Sequence, residues 1–75
     1  MADVTLDTRG LRCPLPILKA KKSMLEVPIG GTLTVLTTDP GAADDFQVFA
    51  DTTGHILVES CEDGGTARFV LRRTR

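Results

Sequence analysis

The sequence predicts an α/β (α+β) two-layer sandwich, a four-stranded mixed sheet with two helices on one face, in the order β-α-β-α-β-β. Three observations predict it. Seventy-five residues make a single domain, 1–75, with a thin core, because a chain of this size buries only about 60% of its extended surface. Two segments carry one apolar stripe each at helical spacing, and four carry the alternation or β-branched enrichment of strands. Two such helices need a shared apolar surface, which one face of a single sheet supplies.

Residues 3 to 7 alternate, with Val4 and Leu6 on one face and Thr5 and Asp7 on the other, and Thr8, Arg9 and Gly10 end that strand. From Pro14 to about Leu25 the spacing turns helical. Pro14, Ile17, Leu18, Met24 and Leu25 are expected on the apolar side, with Lys21 projecting from the middle of that arc. Pro28, Gly30 and Gly31 stop the helix. Thr32 to Thr38 is a second strand with Leu33 and Val35 on one face. Asp39-Pro40 signals a new helix, with aspartate at the N-cap and proline at the first helical position. Ala42, Ala43, Phe46, Phe49 and Ala50 supply its stripe, and Thr53-Gly54 closes it. His55 to Glu62 and Thr66 to Arg73 read as strands joined by a hairpin turn at Glu62-Asp63-Gly64-Gly65. Phe69 and Leu71 should meet the helices. The far sheet face is expected to show Thr5, Thr32, Thr34, Arg68 and Arg72, together with Leu57 or Val58.

Composition narrows the function classes. The chain is 41% apolar and 25% charged with a net charge of −1, so it has no general attraction to nucleic acid or anionic lipid. Arg68, Arg72, Arg73 and Arg75 make a basic C-terminal end, a weak basis for nucleic-acid binding. The start Met1-Ala2-Asp3-Val4-Thr5 has neither the basic region nor the apolar run of a signal peptide, and no stretch approaches a membrane span. Two widely spaced cysteines do not suggest a disulfide framework or a metal site. A reduced, cytoplasmic setting is expected.

The segment with most chemical content is Cys13-Pro14-Leu15-Pro16. It places a thiol where a loop becomes a helix and where backbone N–H groups lack internal partners. Proline costs nothing in a first helical turn, so Pro14 and Pro16 are expected at the first and third helical positions with Cys13 at the N-cap. The amides of Leu15 and Ile17 are then candidate partners for the sulfur. The helix field is worth about 0.3–1 kcal/mol when exposed and up to about 2 when partly buried. That field, with Arg9 and Arg12 nearby, is expected to lower the Cys13 pKa and enrich the reactive thiolate. Free cysteine is more often an inert buried residue, but Arg12, Pro14 and Pro16 mark a surface turn. Cys61, in alternation with Leu57 and Glu59, is read as structural.

Other chemistries find little support. Cys-x-x-Cys exchange fails because position 16 is proline, and His55 is the only histidine available for a Cys-His pair. Gly30-Gly31 and Gly64-Gly65 lack the rest of a phosphate-binding pattern, and Asp44-Asp45 resembles a solvated helix face. No cofactor and no metal are expected.

Leu6-Asp7, then Gly10-Leu11-Arg12-Cys13-Pro14-Leu15-Pro16, then Asp39-Pro40 and Phe69-Val70-Leu71-Arg72-Arg73, resemble the TusA/SirA-like sulfur-carrier family over nearly the whole chain. The resemblance implies a sulfurtransferase that carries sulfane sulfur as a persulfide on Cys13. Gly10, Leu11, Arg12, Pro14, Leu15 and Pro16 form the supporting motif. It further implies a cysteine desulfurase or rhodanese-type donor and a downstream acceptor protein; from charge and hydropathy, no membrane and no direct nucleic-acid partner is expected. Family uses include tRNA thiolation, molybdenum-cofactor synthesis and sulfur oxidation. Leu15 stands where some tRNA-thiolating members have an acidic residue, and Ala50 where some carry another cysteine. Docking is expected at the Cys13 end, with Leu11 and Leu15 as apolar contacts and Arg9, Arg12 and Lys22 as steering charges. Lys21 is a further candidate for the same site, against the favoured reading of a lysine that snorkels from the apolar stripe. The competing class is a non-catalytic regulatory or RNA/protein-binding module that uses the bare sheet face or the basic strand.

Overall fold

The computed structural model describes residues 3–75. Its elements are β1 (Asp3–Asp7), α1 (Leu15–Met24), β2 (Thr32–Thr37), α2 (Ala42–Thr53), β3 (Ile56–Asp63) and β4 (Thr66–Arg72). This is the expected β-α-β-α-β-β order. The four strands form one mixed sheet in the order β1-β2-β4-β3. β1 runs parallel to β2, with Asp3 opposite Thr32 and Asp7 opposite Leu36. β4 is antiparallel to both β2 and β3.

Alternation explains the single covered face. Leu33, Val35 and Thr37 of β2 are buried beside Phe69 and Leu71 of β4, and they meet Ala20, Met24, Phe46, Phe49 and Ala50 from the helices. Phe46 of α2 stacks on Phe69 of β4 with ring centroids 5.1 Å apart and planes 22° apart, while Phe49 meets Phe46 edge-on at 6.2 Å. Such pairs add about 0.5–1.5 kcal/mol beyond their buried area, and this one fixes α2 over the sheet centre. The other face carries exposed Thr5, Arg68 and Arg72 beside half-buried Thr32 and Thr34.

Three expectations need correction. The buried stripe of α1 is Pro16, Ala20 and Met24, continued by Val27, while Pro14, Leu18 and Leu25 are exposed. The i, i+4 row through alanine faces the sheet because a small side chain lets the helix approach it closely. Lys21 therefore lies beside the stripe and not within it. In β3 the pairing slips between Leu57 and Glu59, a β-bulge that changes the strand's facing phase. Leu57 packs on the core, Val58 is exposed, and Cys61 pairs with Arg68 in an exposed position. Cys61 is thus not a core residue. Finally, α2 is capped at Gly41 and begins at Ala42, while Asp39 and Pro40 lie in the preceding turn and Ala43 is exposed.

The β3–β4 turn is Gly64-Gly65 with φ of 59° and 86°. Two consecutive positive φ values match the right-handed strand twist and are cheap only for residues such as glycine.

Candidate functional site

The C-terminal ends of the parallel strands β1 and β2 lead into two loops that are tied together. Thr8 is fully buried, and both its backbone N–H and its hydroxyl donate to the Leu36 carbonyl, at 2.8 and 2.6 Å. Gly10 follows at φ 84°, a left-handed conformation, and its N–H donates to Thr38 Oγ1 at 2.9 Å. The Cys13 N–H donates to Asp39 Oδ2 at 3.2 Å. Asp39 is itself held from both sides, its N–H donating to Thr37 Oγ1 at 3.1 Å and its Oδ1 accepting from the Gly41 N–H at 3.4 Å. Each bond crosses from one loop to the other or braces the receiving loop. The ends of adjacent parallel strands thereby become a single platform, a common place for sites in open sheets.

Cys13 is exposed on this platform. It stands one residue before the helix cap, not on it. Pro14 occupies the cap, its carbonyl accepting from the Leu18 N–H at 3.0 Å, and Pro16 is the second helical residue. The Leu15 N–H is already committed to the Arg12 carbonyl at 2.8 Å, so it is not available to the sulfur. Leu15 itself is exposed, whereas Pro16 is buried and structural.

The electrostatics also differ from expectation. The Cys13 thiol is pushed up from its ordinary value, chiefly by hydrogen bonding to the Asp45 carboxylate, then by desolvation and by the negative charges of Asp45 and Asp39. The expected downward shift is overturned because the cap lies one residue further on and carboxylates from the second helix crowd the sulfur. Arg9 does not offset them. Its guanidinium is bound to Asp7, with Nε and Nη2 donating at 2.9 and 2.8 Å, and this holds the Asp7 carboxyl down to about 2.

Cys13 Sγ and one carboxylate oxygen each from Asp39 and Asp45 lie within 4.8 Å of one another. One soft and two hard donors do not make the four-donor set of a structural zinc centre; the two carboxylates instead surround the sulfur with negative charge. The thiol opens into a groove of about 330 Å³ between the helices, where Ile17 and Lys21 of α1 face Asp45, Val48 and Phe49 of α2. Gly10, Leu11 and Arg12 line a separate cleft of about 420 Å³ with Thr38, Asp39 and Pro40. Lys21 thus joins Cys13 in one groove, while Lys22 is exposed outside it.

Asp45 is the site residue that sequence reasoning missed. Its signal was faint: Asp45, Phe49 and Thr52 fall at i, i+4 and i+7 beside the buried stripe, whereas Asp44 is exposed.

The sulfurtransferase TusA family model matches residues 4–73. The sulfur carrier protein TusA of Allochromatium vinosum is 47% identical over 72 residues, covering 96% of this chain and 95% of that protein. The sulfur carrier protein TusA of Pseudomonas entomophila is 38% identical over 71 residues, covering 95% and 89%. The crystal structure of a SirA-like protein from Desulfitobacterium hafniense superposes with a TM-score of 0.83 at 28% identity, covering 96% of this chain and 99% of that one. Sequence and fold agree from the first strand to the last, and the chain belongs to the TusA/SirA sulfur-carrier family, the sulfurtransferases that relay sulfane sulfur as a persulfide.

Proposed function

We propose that Cys13 is the residue on which this carrier bears its sulfur, and that it exchanges that sulfur with partner proteins docked over the exposed helix entrance. The observation that carries this reading is an exposed thiol at the mouth of the inter-helix groove, on loops braced from beneath. A nucleophile that must meet another protein's sulfur has to be reachable, and its approach must be preorganised.

The partners by chemistry are a donor that presents an enzyme-bound persulfide, of the cysteine desulfurase or rhodanese type, and an acceptor protein that presents a thiol. Leu15 and Val48, both exposed, supply apolar contact beside Cys13. Arg12 and Lys22 are exposed cations that steer approach, mainly through the association rate. Arg9 steers little, because Asp7 neutralises it.

The test follows isotopically labelled sulfur from cysteine, through a purified desulfurase, onto this chain. Label should ride on the protein in a form released by dithiothreitol, persist in Cys61→Ser and disappear in Cys13→Ser. Arg12→Glu should slow loading and flatten its salt dependence. Undiminished label on Cys13→Ser overturns the assignment.

A further inference from the structure

Resting on the reading of Cys13 as the sulfur-bearing residue, we propose that Asp45 is the positioning residue that holds the Cys13 thiol proton and sets the readiness of that sulfur to react. The charged groups facing Cys13 come from every element around it: Asp45 on α2, Asp39 on the β2–α2 loop, Lys21 on α1 and Arg12 next in sequence. The two carboxylates have different work. Both Asp39 oxygens take backbone donors, from Cys13 and from Gly41, so Asp39 shapes the loop. No backbone or side-chain N–H or O–H donates to the Asp45 carboxylate among the described residues, and Asp45 lines the groove into which the thiol opens. It is the acceptor left for the S–H: one of its carboxylate oxygens lies within 4.8 Å of Cys13 Sγ, and hydrogen bonding to Asp45 is the first cause of the thiol's upward shift.

In loading, the Cys13 S–H proton leaves and the sulfur lone pair attacks the outer sulfur of the donor persulfide. The donor S–S bond breaks, its electron pair goes to the donor's inner sulfur, and that thiolate takes up a proton. In delivery, an acceptor thiolate attacks the outer sulfur of Cys13–S–SH. The electron pair of the breaking bond returns to Cys13, which regains a proton from solvent, while the outer sulfur leaves as the acceptor's persulfide. No oxidant or reductant is consumed. An anionic neighbour disfavours negative charge on either form of Cys13. The empty carrier is thereby kept as a quiet thiol, and the loaded carrier keeps a neutral outer sulfur open to attack by an anionic acceptor. The cost to nucleophilicity is limited. A thiol made about tenfold less acidic has about a tenfold smaller thiolate fraction, but the intrinsic reactivity of that thiolate rises about threefold.

Iodoacetamide alkylation against pH, in a Cys61→Ser background where Cys13 is the only thiol, tests this without any sulfur donor. Asp45→Asn should move the midpoint of the pH–rate curve downward and speed alkylation near neutrality, by about threefold for a midpoint that falls by about one on the pH scale. Asp45→Glu should return the curve toward the parent, and Asp44→Asn should leave it in place. A midpoint in Asp45→Asn that stays put or moves upward overturns the proposal, as does an equal shift in Asp44→Asn. Sulfur loading of the same proteins is scored separately by mass. Failure of the parent to load on Cys13 defeats the functional assignment, while the alkylation curves still decide the role of Asp45.

Discussion

Thr8 shows how one buried side chain serves the site. Its hydroxyl and its N–H converge on the Leu36 carbonyl just where β1 gives way to the Cys13 loop. Thr8→Val keeps the shape and loses one of the two bonds. The expected cost is about 0.5–1.5 kcal/mol, toward the low end because the backbone bond still satisfies that carbonyl. Urea unfolding should show a lower midpoint at unchanged slope, and an unchanged midpoint would mean that the hydroxyl bond contributes nothing. Cys13 itself was legible in sequence, because arginine and two prolines around a cysteine specify a surface turn. Its electrostatic setting was not. Asp39 and Asp45 lie 26 and 32 positions away, and only the pairing of β1 with β2 and the packing of α2 beside the loop bring them to the sulfur.

Among the elements, α2 and the strands after it were read well where periodicity was strong, and misread where one residue changed the phase. The Phe46–Phe49–Ala50 stripe is buried as its spacing requires. In β3 the bulge at Val58 breaks the alternation, and nothing in Ile56-Leu57-Val58 announces it, since all three are good strand formers. The α1 stripe was misplaced because its exposed Leu18 and Leu25 are more apolar than its buried Ala20. His55 links the end of α2 to the C-terminal segment: Nδ1 accepts from the Thr74 N–H at 3.2 Å, and the ring lies 6.3 Å from Phe49. Desolvation, then the charges of Arg73 and Arg75, lower its pKa from the ordinary 6.5. The folded chain therefore binds this proton less readily than the unfolded chain. The contribution of neutral His55 to stability is complete above 6.5 and is lost as pH falls through the lowered folded value. Between about pH 7.5 and 5 the parent should lose more thermal stability than His55→Asn. Parallel curves would show that the ring's charge is immaterial to the tail.

The molecule measures 30 × 25 × 19 Å, and among the described residues no helix is long and apolar enough to cross a membrane. Of its basic C-terminal end, Arg68, Arg73 and Arg75 are paired within the fold, while Arg72 is exposed on the open sheet face. The Arg73 guanidinium donates to the Met24, Leu25 and Val27 carbonyls at and just beyond the end of α1, Arg75 Nε donates to the Thr53 carbonyl at 3.0 Å, and Arg68 pairs with Glu59. Those arginines are spent on closing the fold, which weakens the nucleic-acid reading of the same strand. The proposed chemistry lies elsewhere, on the loop platform where one exposed thiol meets two carboxylates. On the proposed reading of Cys13, the load rides at the surface of this thin domain and transfer depends on contact. Intact-protein mass after incubation with a desulfurase and cysteine reads that load. The parent and Cys61→Ser should each gain one sulfur, about 32 Da, removable by reductant, and Cys13→Ser should gain none. A mass gain retained in Cys13→Ser, or lost in Cys61→Ser, would contradict the assignment of Cys13 as the sulfur-bearing residue.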